Sequence, residues 1–468
     1  MALLDRASRA PYSRQSVSRE IGPRLDRNRD GPCPESGSTE TTRTNLQPVC
    51  AADCTLGWMD PSRTADIERI AALFCSMPLT ADNVFLRPAR LDGSHGEREV
   101  CDVLVALRGH GIVLSLKSQD AATSREGPKL HRWCAKHARK AAGQISGASR
   151  AMKMQSFSCQ HWRRGRIDFA AGVVTPVHAL AIIETGPLPT DTARLPDDLP
   201  DSAGGTPITY ITLNDGLNLV DQLRSIPDLI AYLDERATLP MWCRRMIGNE
   251  RCLLQYYMLN GDSFADCPEP KDFFTYVLVT ERDFLRLIEG KREADAGARF
   301  IEHIAEALAT RNEDYAEGLG AETLALFEPV GERSRYLMIQ EHLADLWLAD
   351  RRKLGTAFLD VIEQADASHT SRRRSWWSDR KPGFLYMIAA GVERAHALRS
   401  GPLALEAALA HYGKQQGMLI VRRDGGGFDI CLAELPPQPS PALLEAGRRM
   451  FGHLRVFTTE TDSLLPRL

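Results

Sequence analysis

The sequence predicts an α/β N-terminal domain, built as helix, three-stranded meander, helix and strand, followed by a mainly α-helical region and a small C-terminal α/β segment. Three observations predict it. Apolar residues recur at three- and four-residue spacing over 60–78 and again over 129–154, the period of an amphipathic helix. Between them stand three short apolar runs separated by turn residues, as in a meander. Farther on, Val177–Glu184 (VHALAIIE) is almost continuously apolar, which suits a strand covered on both faces. At 468 residues the chain has room for two or three domains, and 43% apolar with 25% charged residues excludes a disordered or fibrous protein.

Residues 1–58 are rich in Arg, Ser, Thr, Pro and Gly and lack apolar periodicity, so they read as a disordered tail. Asp5, Glu20, Asp26 and Asp30 argue against a mitochondrial presequence, and nothing resembles a secretory signal, leaving the cytoplasm as the expected location. At Asp60-Pro61 a helix begins, with Ile67, Ile70, Ala71 and Phe74 on one face and Pro78 as its stop. Val84–Arg87 is the first strand. After the turn Asp92–Gly96, Val100–Leu107 and Gly111–Lys117 form a hairpin across Arg108-Gly109-His110. A long helix over 129–154 follows, with Leu130, Trp133, Cys134, His137, Ala138, Ala141, Ile145, Ala148 and Met152 on one face. Val177–Glu184 and Pro207–Leu213 complete a domain spanning 59–215.

Region 216–415 reads as helical. Ser225-Ile226-Pro227-Asp228 resembles a capping box leading into Leu229–Arg236. Further helices are expected near 249–259, 282–308, 332–351, 355–364, 384–398 and 402–411. The segment 416–468 then offers strands at Met418–Arg422 and Phe428–Leu432 around a Gly425–Gly427 turn, a helix near 441–451 and a strand at Leu454–Thr458.

The net charge of −3 conceals a strong asymmetry. Eleven basic residues and one acidic residue, Glu126, lie between Arg125 and Arg166, a local +10. Such a stripe on an otherwise acidic chain is where a polyanion would dock, and Lys136, Arg139, Lys140, Arg150, Arg163 and Arg164 are its candidate nucleic-acid contacts. No run is long and apolar enough to cross a membrane. Eleven scattered cysteines fit reduced, buried thiols.

Chemistry concentrates in Glu99-Val100-Cys101-Asp102-Val103-Leu104-Val105 and Gly111–Ser118. An acidic residue opens one strand and Lys117 closes its hairpin partner, while period two puts Ser115 and Lys117 on one face. A carboxylate and an ammonium meeting at one end of a sheet, beside a basic helix, suit phosphodiester cleavage: the carboxylate holds Mg²⁺ and the lysine stabilises the crowded phosphate or orients water.

Here the chain resembles the restriction-endonuclease-like superfamily of PD-(D/E)xK nucleases over about residues 60–190. The resemblance implies that Asp102 is the metal-binding aspartate, with twelve residues before Ser115-Leu116-Lys117 at the (D/E)-x-Lys tripeptide. It also implies that Lys117 is the catalytic lysine, that Gln144 on the next helix is a site residue, and that Glu68 on the first helix is a further metal ligand. Mg²⁺ or Mn²⁺ would be the cofactor and DNA or RNA the partner, in a homodimer or a larger complex. Ser115 departs from the pattern, since neutral serine is a poor Mg²⁺ ligand. Glu99 or Glu68 would have to complete the shell, and Glu99 in a regular strand points away from Asp102. The alternative is a degenerate nuclease fold that binds nucleic acid or assembles complexes.

Other signals are weaker. Cys134/His137 and Cys159/His161 have metal-like spacing, yet Cys134 and His137 fall on a helix's apolar side and read as a core thiol and a partly buried histidine. Cys50 and Cys54 lack further ligands. Arg372–Lys381, with Trp376 and Trp377, reads as a loop offering a secondary nucleic-acid contact. Phosphate-loop, zinc-protease and serine-hydrolase motifs are absent from the sequence.

Overall fold

The computed structural model describes residues 61–91, 97–119, 125–162, 164–184, 194–318, 335–423 and 427–451. The expectations for the tail at 1–58 (with Cys50 and Cys54), the turn Asp92–Gly96, Arg163, Gly425-Gly426 and the strand at Leu454–Thr458 lie outside the described residues.

Helix α1 (Pro61–Ser76) buries Ile67, Ile70 and Phe74, as its spacing requires. It leads into β1 (Val84–Leu91), β2 (Glu97–Glu99), β3 (Val103–Leu107) and β4 (His110–Ser118). The β3–β4 reversal uses two residues with positive φ, Arg108 at 50° and Gly109 at 80°, the twist a two-residue hairpin needs. Next come α2 (Gly127–Met154), β5 (Phe157–His161), β6 (Gly165–Phe169), β7 (Thr175–Glu184), β8 (Ser202–Ala203) and β9 (Thr206–Ile211). The sheet runs β6-β5-β1-β3-β4-β7-β9-β8, with β2 continuing along β1. β1, β3 and β4 are antiparallel, while β4, β7 and β9 are parallel. The protein is thus α/β with a mixed sheet. The β5–β6 hairpin, which extends the β1 edge, is an addition to the expected element order.

The pleat sorts side chains onto two faces. Val103, Val105, Leu114, Leu180 and Ile182 pack under α1, and Leu104, Val113, Ala179, Ala181 and Ile183 pack under α2. The α1-side core continues into α3 (Leu213–Leu223), α4 (Ile226–Ala237), α5 (Met241–Arg244), α6 (Glu250–Leu259) and α7 (Pro270–Ala294). Ser225 caps α4 as expected: the Asp228 N–H donates to its Oγ. The single helix expected over 282–308 is two, α7 and α8 (Ala296–Gly318), divided at Asp295. Buried Asp295 there accepts from Lys291 Nζ (2.9 Å) and Arg352 Nε (2.6 Å). Burial works to raise its carboxyl, but the two cations outweigh that and hold it below the usual carboxylate range.

Helices α9 (Arg335–Ala344) and α10 (Leu348–Ser368) follow. At the α8–α10 crossing, Gly297 meets Gly355 so closely that a Cβ on Gly355 would collide with the Gly297 carbonyl oxygen. Only the absence of side chains lets these two backbones touch.

Beyond α10 two expectations are corrected. Phe384–Val392 is a strand, β11, and not the start of a helix over 384–398. Its first seven residues are buried, consistent with a continuous apolar run whose period discriminates poorly between helix and strand. Arg372–Trp376 is not a loop but β10, antiparallel to β11. With β12 (Gln416–Arg423) and β13 (Phe428–Glu434) these form a second sheet, β10-β11-β12-β13, in which β11 and β12 are parallel and joined by α11 (Arg394–Tyr412). Helices α10 and α11 cover its opposite faces, and α12 (Pro441–Phe451) packs beside α11. No described helix is long and apolar enough to cross a membrane.

Candidate active site

Asp102 is placed by a β-bulge. Leu86 faces Val103 and Ala89 faces Glu99, so three steps along β1 are matched by four on the β2–β3 side. The extra residue falls within Val100–Asp102. There the Val100 N–H donates to Pro88 O (2.6 Å), Arg87 N–H to Asp102 O (3.0 Å) and Asp102 N–H to Leu114 O (3.2 Å). A bulge re-aims side chains, and this one sets the Asp102 carboxylate over β4, where Oδ2 accepts from the Leu116 N–H at 2.7 Å.

On β4, Ser115 and Lys117 share the α2 face, and α2 delivers Gln144 onto them. Lys117 Nζ donates to Ser115 Oγ (3.0 Å), Gln144 Oε1 (2.8 Å) and the Leu116 carbonyl (2.7 Å). Ser115 Oγ donates in turn to Gln144 Oε1 at 2.9 Å. Asp102 Oδ2 lies 3.7 Å from Lys117 Nζ, completing an ion pair. Asp102 from the bulge, Ser115 and Lys117 from β4 and Gln144 from α2 therefore belong to one polar network. It is largely enclosed: Asp102 is 1% exposed, Ser115 0% and Lys117 9%, while Gln144 is half-buried.

The two glutamates fare differently. Glu68 is exposed on α1, the helix that packs on the opposite face of the sheet, away from the face bearing Ser115 and Lys117. Glu99 ends β2 half-exposed, and its charge helps raise the buried Cys101 thiol, behind burial, Cys159 and Asp102. The bulge removes the regular alternation that would have turned Glu99 from Asp102, but no grouping of three or more His, Cys, Asp or Glu suited to a metal occurs among the described residues. Asp102 and the Leu116 carbonyl are the oxygen donors closest to hand. That set suits Mg²⁺ only as a partial shell, since Mg²⁺ is commonly held by one or two carboxylates with waters and substrate phosphate oxygens supplying the rest.

The basic stripe separates into paired and unpaired groups. Arg139 forms two hydrogen bonds to Asp198 (2.8 and 2.9 Å), Arg166 binds Glu97 (2.7 Å), and Arg164 donates to Asp82 O (2.6 Å) while lying over Phe85. Arg139 and Arg164 thus have structural partners. Lys129, Arg132, Lys136, Lys140 and Arg150 are exposed and make no ion pair or hydrogen bond with described residues. At 3.6 residues per turn these five form one strip along α2, beside the row that carries Trp133, His137 and Gln144. The open cations border the candidate site.

His137 matches its expectation as a partly buried histidine on α2. It is half-buried, stacks on Trp133 with ring centroids 4.4 Å apart, and leaves a buried Nδ1 without a hydrogen-bond partner among the described residues. Burial lowers its pKa, with Lys140, Lys136, Lys117 and Arg125 adding to the effect, so the imidazole stays neutral near pH 7. Its seven-residue spacing from Gln144 is the available signal, two helical turns on one face. Cys134 lies in the core, where burial raises its thiol to about 11, and buried Cys159 sits on β5. Trp376 is buried against Tyr386, and Trp377 packs on Tyr412.

No protein-family model, curated protein or solved structure matches the chain.

Proposed function

We propose that the N-terminal α/β domain hydrolyses DNA or RNA phosphodiester bonds with Mg²⁺ or Mn²⁺. The observation that carries this reading is the convergence of Asp102, Ser115, Lys117 and Gln144 beside a strip of unpaired cations. A bound divalent ion would polarise the scissile phosphate and lower the pKa of an attacking water. Asp102, with the Leu116 carbonyl, is the group to hold it. Lys117 would turn its ammonium from Ser115 and Gln144 toward a phosphate oxygen and stabilise the charge that builds there. Gln144 positions Lys117 from above, and Lys129, Arg132, Lys136 and Lys140 hold the backbone along α2.

The test uses the purified full chain and Lys117→Ala, with plasmid, single-stranded DNA and RNA in EDTA, Mg²⁺ or Mn²⁺. Metal-dependent cleavage that vanishes in a Lys117→Ala variant still folded at the assay temperature by circular dichroism is the expected result, since losing the buried partner of Asp102 lowers the melting point as well. Cleavage that survives in the variant overturns the assignment.

A second reading has its own observation. All three hydrogens of the Lys117 ammonium have acceptors within the protein, and Ser115, wholly buried, stands where a carboxylate ligand would. A network so satisfied also suits a domain that binds nucleic acid without cutting it. That reading predicts metal-independent binding, whose log–log salt slope falls by about 0.9 for each of Lys136 and Lys140 neutralised, as counterion release on B-DNA requires. Filter binding over a range of about 50 to 300 mM salt measures the slope.

A further inference from the structure

We propose that the candidate active site takes single-stranded nucleic acid, with the stacked rings of Trp133 and His137 on α2 holding an unpaired base. The proposal rests on the nucleic-acid reading of that site and goes beyond it in naming the strandedness of the substrate.

Trp133 and His137 stand four residues apart on α2, so their side chains lie one above the other. Their rings stack with centroids 4.4 Å apart and planes 26° from parallel. Both residues are half-buried. Trp133 packs against the α2-side core, which fixes its position, while part of it stays open to solvent. Other aromatic rings of this protein pack in larger groups, as Phe264 does with Tyr232, Tyr256 and Tyr257. The Trp133–His137 pair touches no third ring among the described residues, and neither ring makes a hydrogen bond with a described residue.

The neighbours of the pair decide what it can serve. By the turn of the helix, Lys129, Lys136 and Lys140 flank it on one side, exposed and without an ion pair or hydrogen bond to a described residue. On the row of the pair itself lies Gln144, which accepts from Lys117 at 2.8 Å, and Lys117 is among the charges acting on the His137 ring. A backbone laid along the lysines therefore passes the two rings on its way to Lys117. The seven residues from His137 to Gln144 span about 10 Å, about three nucleotides of a stacked strand and fewer of an extended one. In a duplex the bases stack on one another and turn inward, so an indole beside the phosphates meets none of them. An unpaired base offers its whole π-face, and stacking on it tolerates any sequence. Cations for the phosphates with an aromatic platform alongside form the arrangement that suits a single strand.

Fluorescence anisotropy on the full chain tests this in EDTA, where no metal-dependent cleavage intrudes. The probes are a labelled DNA strand of about 20 nucleotides, its duplex, and an abasic strand of the same length and charge. The wild type should bind the single strand about fivefold or more tighter than the abasic strand, the scale of one stacked base, and tighter than the duplex despite the duplex's higher charge density. Trp133→Leu keeps an apolar contact with the core but removes the flat face. It should weaken single-strand binding by about five- to a hundredfold and change duplex and abasic binding little. Trp133→Phe should recover part of the loss, and Lys136→Gln/Lys140→Gln should weaken all three probes alike. A matched RNA strand separates the two nucleic acids, and the tighter of the two must show the dependence on Trp133. A single strand bound no tighter than the abasic strand or the duplex, the absence of binding included, overturns the proposal. So does a folded Trp133→Leu variant that binds the single strand as the wild type does. The abasic comparison uses the wild type alone and stands even where the variant fails to fold. Failure of the nuclease reading shows separately, as cleavage that survives in Lys117→Ala, and leaves these affinities unchanged.

Discussion

Glu250→Gln should cost about 3–5 kcal/mol of stability, the scale for removing one partner of a buried ion pair. Glu250 accepts from Arg236 Nε at 2.7 Å and Nη2 at 3.0 Å, and Tyr232 OH donates to the same carboxylate at 2.6 Å. Arg236 and Glu250 are each 1% exposed, so solvent cannot replace the lost charge. Burial works to lower the Arg236 pKa, but Glu250 outweighs it and keeps the guanidinium charged. The amide would preserve the shape of the carboxylate while leaving that cation uncompensated between α4 and α6. The midpoint of urea unfolding measures the loss, read at unchanged m. The double variant Arg236→Met/Glu250→Leu should recover most of it, because removing both charges removes the desolvation cost as well. A single variant as stable as the wild type would show that the pair holds nothing together.

Much of the first sheet is legible because its signals are local. Periodic apolar residues mark α1 and α2, and β7 is identified by a run too apolar for any exposed strand. The second sheet is hidden by the same rule. β11 reads Phe384-Leu385-Tyr386-Met387-Ile388-Ala389-Ala390, apolar at every position. Its strand character comes from pairing with β10 and β12, where Tyr386 meets Trp376 and Phe384 meets Gln416, partners no local window contains together. Strand β10 is harder still. Its Arg372-Arg373-Arg374 start looks like a solvated loop, yet edge strands favour such charge.

The candidate site is legible in its identities but not in its contacts. Period two places Ser115 with Lys117, and the tripeptide places Lys117 near Asp102. That Gln144 Oε1 accepts from both Ser115 and Lys117 depends on how far α2 slides over the sheet, a tertiary quantity. The bulge at Val100–Asp102 also leaves no sequence mark, since one extra residue is visible only against its partner strand. Charge is misjudged in one respect. The stripe counts Arg139, Arg164 and Arg166 as available, whereas their partners Asp198, Asp82 and Glu97 lie far away in the chain.

Acid should weaken the junction between the two sheets through one histidine. His342, on α9, is 6% exposed, with its ring 4.3 Å from that of Phe384. Its Nδ1 faces two cations, Arg108 Nη2 at 3.2 Å from the β3–β4 turn and Lys381 Nζ at 3.4 Å from the segment before β11. Both cations also bind Asp345, at 2.9 and 2.7 Å. Burial pushes the His342 pKa down to about 3, and Lys381 and Arg108 push the same way. A folded pKa below the unfolded value of about 6.5 means that the unfolded chain takes up a proton the folded chain refuses. The neutral imidazole's contribution is therefore complete above about pH 6.5 and is lost as pH falls toward 3, with a slope approaching about 1.4 kcal/mol per pH unit. His342→Gln keeps an acceptor for Arg108 and Lys381 but cannot titrate. Subtracting its stability profile from that of the wild type between pH 7 and pH 5, about the interval where carboxylates contribute least, isolates the histidine. The wild type should lose stability on acidification faster than the variant. Parallel profiles would mean that His342 accepts its proton in place, and that the Arg108–Asp345–Lys381 cluster tolerates a third positive charge.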